Sequence, residues 1–254
     1  MMGTLRRFGP VGLLVCGVAC LDVTPSAERN QLVILAPLEI RGSLDVSLAR
    51  FFSSSSNAPL QARYGYSPEM SRQAIDGEVD LLITTHPQWG DYVQERTDVV
   101  ARGSIGTDRL VVVGRPGTSA DGPRDVTRLV DSSLGRIAVP SMESDSVGMY
   151  AREALLRYGI WSQAQSSLEI LPSSPEVIGA VSTGAVDAAI LLARTASETR
   201  LPVMFEFDPA FHRPIRFEAL LLSEQHPQAR ALYDALVRGA DLVPGSPQAS
   251  TGRG

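Results

Sequence analysis

The residues that could do chemistry are few. The histidines are His86, His212 and His226, and no two stand at a spacing that puts two ring nitrogens on one helix face. No His-Glu-x-x-His motif or cysteine cluster accompanies them, so the spacing points to no metal site. His86, directly before Pro87-Gln88-Trp89, reads as the cap of a helix. No Gly-x-Ser-x-Gly elbow is present, since Gly179 and Gly184 are wrongly spaced for one, and nothing singles out a Ser-His-Asp set. All 23 basic residues are arginine, which excludes a lysine Schiff base and a P-loop lysine. Trp89 and Tyr92, three apart, read as packing residues, and Arg213 and Arg216 as solvated ones. This inventory calls for no catalytic group and no cofactor.

The elements that position these residues follow from composition and periodicity. The chain has 254 residues, 44% hydrophobic and 20% charged, which is globular composition and excludes collagen-like and coiled-coil organisation. The length lies at the upper edge for one hydrophobic core, so two lobes are expected. The net charge is −5 and no basic run exceeds Arg6-Arg7, which leaves no basic face for nucleic acid. Residues 31–36 (QLVILA) form the short apolar run of a buried parallel strand. Ser43 heads a helix with Leu44, Leu48, Phe51 and Phe52 at helical spacing. A strand at 60–64, a helix at 68–75 and a strand at 80–84 follow, with Pro68 tolerated in the first helical turn. The second half repeats the pattern, with strands at 109–114, 136–139, 168–171 and 186–192 and helices at 147–158 and 175–182. Strands at 203–207 and 217–222 lead out, and a helix at 228–238 ends the ordered part. The alternation implies an α/β chain of two lobes, each a mainly parallel sheet flanked by helices. One lobe is expected from residues 31–108 with 206–242, the other from 109–205. Residues 243–254, rich in Gly, Pro and Ser, read as a disordered tail.

The amino terminus reads as an export signal. Arg6 and Arg7 precede an apolar stretch at 8–19, about a dozen residues and too short to span a bilayer. It ends Gly17-Val18-Ala19-Cys20, a small residue before a cysteine, as at a bacterial lipoprotein cleavage site. Cys16 and Cys20 are the only cysteines, so no disulfide is expected in the mature protein. The expectation is a signal peptide at 1–19, lipidation of Cys20 and a polar tether over 20–30, with simple cleavage as the alternative.

Several segments carry a family likeness. They are Ser71-Arg72-Gln73, Asp80-Leu81-Leu82-Ile83-Thr84, Gln88-Trp89-Gly90-Asp91-Tyr92, Asp108-Arg109-Leu110-Val111-Val112-Val113 and Gly148-Met149-Tyr150-Ala151-Arg152-Glu153-Ala154-Leu155 with Gly159-Ile160-Trp161. In this order, over about residues 31 to 240, the chain resembles the periplasmic molybdate/tungstate-binding proteins of ABC importers, which are type II periplasmic solute-binding proteins. The resemblance implies a monomer that closes two lobes over a small oxyanion and presents it to a membrane permease. It also implies a site of neutral donors, hydroxyls and backbone N–H groups at helix starts, which needs no lysine. The family hydroxyl donor falls on Ser67, which could instead simply cap its helix. The backbone donors fall on Val147 and about Ser174, with Ser146 able to add a hydroxyl.

Two family positions are replaced. The first family serine aligns with Glu39 and the family tyrosine with Leu192. Two unit charges about 4 Å apart at an effective dielectric of about 20 interact by about 4 kcal/mol, so a dianion beside an ionised Glu39 would face about 8 kcal/mol. Micromolar binding is worth only about 8 kcal/mol in total. Glu39 must therefore turn away, be paired by Arg41, or face a ligand that is not a dianion. The expected function is an exported solute-binding protein of an ABC importer, of the molybdate/tungstate type or drifted to another small solute. The alternative is a degenerate lipoprotein of the same fold with a protein partner or no ligand.

Overall fold

A computed structural model describes residues 30–53, 59–119, 125–130 and 133–239. The expected signal peptide, Cys16, Cys20, nearly all of the tether and the tail at 243–254 lie outside the described residues. The chain runs β1 (Leu32–Pro37), α1 (Arg41–Ser53), β2 (Leu60–Gly65), α2 (Ser67–Asp76), β3 (Leu81–Thr84), α3 (Pro87–Gln94), β4 (Ala101–Asp108) and β5 (Leu110–Gly114). It continues through β6 (Ile137–Pro140), α4 (Ser146–Arg157), α5 (Trp161–Ala164), β7 (Leu168–Leu171), α6 (Ser174–Thr183), β8 (Ala188–Leu192), α7 (Ala193–Thr199) and β9 (Val203–Glu206). β10 (Ile215–Leu221) and α8 (Ala229–Arg238) close the described chain.

Two five-stranded sheets result, ordered β2-β1-β3-β10-β4 and β7-β6-β8-β5-β9. The chain passes from the first to the second at Arg109 and returns between β9 and β10. Each sheet is mixed rather than mainly parallel. β1 pairs in parallel with β2 and β3, and β6 with β7 and β8, while β10 and β5 run antiparallel to both their neighbours. The antiparallel pairings arise at the strands that leave and re-enter each sheet, because a strand arriving from the other lobe need not obey the right-handed parallel crossover. β1 and β3 are buried along their whole length, which explains their unbroken apolar sequence. One apolar cluster runs through both sheets, from Leu32 and Leu81 to Leu110 and Ile190.

β4 has no strand signature in its sequence, ARGSIGTD. It forms because β10 pairs with it along its length, with a bulge at Phe217/Glu218. A side chain at Gly103 would meet the Tyr233 hydroxyl and Val237 of α8 at 2.8 Å, so glycine here lets the helix approach the sheet. At Gly148 a Cβ would come within 2.2 Å of the Pro140 carbonyl oxygen, so the start of α4 packs directly on the end of β6.

The crossing is pinned by a buried ion pair. Arg194, at the start of α7, sits 3.4 Å from the carboxylate of Asp108 at the end of β4, and both side chains are 5% exposed. The guanidinium also lies 5.2 Å from the ring centre of Phe217 and donates to the Ser43 hydroxyl on α1. Removing one partner of such a pair leaves an uncompensated buried charge. Arg194→Ala is expected to lower unfolding stability by about 3 kcal/mol in chemical denaturation. Gly148→Ala is expected to destabilise by about 1–3 kcal/mol through overpacking against the β6 carbonyl, visible as a lowered melting temperature.

Candidate functional site

Helix starts from both lobes meet at one place. Ser67, the first residue of α2, is 3% exposed, and its hydroxyl lies 3.2 Å from that of Ser146, the first residue of α4 in the other lobe. Extended Tyr66 precedes α2 and makes no side-chain cap, so the Ser67 hydroxyl faces the opposite lobe rather than capping its own helix. A second link crosses nearby. The Tyr150 hydroxyl on α4 donates to the Thr85 carbonyl at 3.0 Å, and the Thr85 hydroxyl donates to Glu39 at 2.7 Å.

The backbone donors expected of Val147 and Ser174 are already engaged. One carboxylate oxygen of Asp145 accepts from the Val147 N–H at 2.9 Å and the other from the Ser174 N–H at 2.7 Å. Asp145 is the N-cap of α4, so the first bond is an ordinary cap, whereas the second reaches 29 residues along the chain to the start of α6. Ser173, the N-cap of α6, supplies no side-chain cap, so this helix start is served from outside. The local signal for Asp145 is visible in Asp145-Ser146-Val147, but its reach to Ser174 is not.

Glu39 lies in the short turn Leu38–Ile40 that links β1 to α1. Its carboxyl is pushed up to about 8, first by burial and then by Asp145, with the Thr85 hydrogen bond opposing. Asp145 is also raised by burial, against the hydrogen bonds from Ser174 and Val147. Arg41 does not neutralise Glu39. It pairs with Asp45 at 3.6 Å, and its guanidinium lies 5.3 Å from the Tyr64 ring centre. Leu192 is 1% exposed at the end of β8, opposite Leu110, and packs in the apolar cluster common to both sheets. It has no polar group to offer a ligand.

The three histidines take structural places. His86 caps α3 by accepting the Gln88 N–H, its ring lies 4.8 Å from Tyr150, and burial lowers it to about 4, so it is neutral at pH 7. His226 accepts the Gln228 N–H, and His212 contacts the Arg213 carbonyl. Trp89 packs edge-on against Tyr92, and Arg213 pairs with Glu153. Among the described residues no group of three His, Cys, Asp or Glu side chains could hold a metal.

Two α/β lobes thus meet, with helix starts from both facing each other between them. The chain belongs to the family of bacterial extracellular solute-binding proteins, which matches residues 32–241. It is 22% identical to the molybdate-binding protein ModA of Escherichia coli over 220 residues, covering 83% of this chain and 84% of that protein. The fold superposes on the periplasmic molybdate-binding protein of Azotobacter vinelandii with a TM-score of 0.69 at 15% identity, covering 85% of this chain and all of that one. The sulfate-binding protein SubI of Mycobacterium tuberculosis gives a TM-score of 0.66 at 16% identity, over 82% of each chain. The relatives are binding proteins and this chain is one too, not an enzyme.

The Glu39 carboxyl sets a pH signature. Its folded value lies above the unfolded value of 4.5, so the folded state holds the extra proton between the two and loses stability as pH rises from about 4.5 through 8. Glu39→Gln is expected to flatten that decline, so that the variant gains on the parent between pH 5 and 8 in melting-temperature profiles. Parallel profiles would refute the assignment.

Proposed function

We propose that the protein is exported, anchored through an acylated Cys20, and captures a small solute between its lobes for delivery to an ABC permease. The observation that supports this best is the meeting of Ser67 and Ser146 across the two lobes, in a family of solute-binding proteins. Ser67 and Glu39 line the ligand site in this reading and Leu192 contributes apolar wall, while the Val147 and Ser174 N–H groups at its edge are held by Asp145. Closing the lobes over the ligand is what distinguishes the loaded from the empty protein to a permease.

Molybdate and tungstate are the first solutes to test, because relatives bear the name molybdate-binding protein. The buried carboxyls favour a second reading, a solute that is not a dianion. Neither the Asp145 nor the Glu39 carboxyl has an arginine or histidine partner among the described residues, and a dianion would meet both. Isothermal titration of the mature domain with each oxyanion is the direct test. No binding tighter than about 10 µM is expected, since like-charge contact at this range cancels the affinity. Submicromolar binding to either would restore the plain oxyanion function. A library of small solutes scored by melting temperature should reveal the true ligand, which at 100 times its dissociation constant adds about 2.7 kcal/mol. A library that yields no stabilising solute would favour the degenerate alternative.

A further inference from the structure

We propose that Asp145 is a built-in substitute for an anionic ligand, and that it thereby closes the inner surface of the second lobe to oxyanions. This deepens the solute-delivery reading above, but the role of Asp145 does not depend on delivery.

The helix starts of α4 and α6 offer N–H groups that together make an anion site. In this chain a carboxylate fixed to the backbone fills it, with one oxygen on each helix start, at 2.9 and 2.7 Å. Such charge-assisted bonds are the strong class, and the residue that makes them is 4% exposed. An incoming oxyanion would have to displace a tethered competitor whose effective concentration is high, and would then share the cleft with its charge. This excludes oxyanions by repulsion as well as by occupancy.

Glu39 adds to the exclusion. It stands where the family resemblance expects a serine donor, and its carboxyl accepts from the Thr85 hydroxyl at 2.7 Å instead of offering a hydrogen bond to an anion.

The test is a gain of function. The double variants Glu39→Ser/Asp145→Ser and Glu39→Ser/Asp145→Ala both remove the carboxylates; the first keeps an N-cap oxygen for Val147 and guards against loss of folding. Wild type and variants that show a cooperative melt are titrated with sodium molybdate and sodium sulfate at pH 7. Wild type is expected to bind neither, and the variants to gain at least 100-fold in affinity for one of them. Micromolar oxyanion binding by wild type, or no gain in a folded variant, overturns the built-in anion. In the second arm wild type is screened against a library of small solutes, with lobe closure followed by small-angle scattering. If no solute of any kind closes the wild-type lobes while the variants gain molybdate, the delivery reading fails and the role of Asp145 stands.

Discussion

A single carboxylate ties the second lobe's two inward-facing helix starts together. The N-termini of α4 and α6 both present partial positive charge, and bringing them close is unfavourable unless something negative lies between. In many anion binders that something is the ligand. Here Asp145 supplies it from within, so the inner surface of the lobe is electrostatically complete before any solute arrives. The position of Ser146 depends on that arrangement, and through Ser146 so does the contact with Ser67.

The rest of the scaffold serves to hold these helix starts in register. Gly148 lets α4 settle on the end of β6, and the shared apolar cluster keeps the two sheets from drifting apart. At the crossing, the Asp108–Arg194 pair is buried where the chain passes from one lobe to the other. A charged pair is a poor source of net stability compared with apolar packing, but its geometry is demanding. It fixes one relative placement of the strand end and the helix start that meet there. The buried carboxyl of Glu39 works the other way, as a local expense of stability concentrated at the cleft.

Much of the fold is legible from residue pattern alone. β1 and β3 announce themselves as unbroken apolar runs because both faces are covered, and α4 as an amphipathic repeat. β4 is not legible, because its glycines answer to α8 and to β10, neither of which is near in sequence. The short α5 and α7 are equally silent, being too brief to show a period. At the site, Ser67, Val147 and Ser174 are reached through family likeness, and Glu39 stands out as a misplaced charge. Arg41 as its neutraliser is the natural guess from two residues' separation, but the helix that starts at Arg41 turns its side chain toward Asp45 and Tyr64. The part played by Asp145 is hidden for a different reason: half of it is local capping, and the other half exists only once Ser174 has been folded beside it.

The lobes touch at more than one place. Ser67 meets Ser146 at one, and at another, beside the crossing, the Ser43 hydroxyl of α1 donates to Glu198 of α7 at 2.6 Å and receives Arg194. In the capture reading proposed above, separating the lobes means breaking both contacts, and the dwell time of a solute follows the slower of the two.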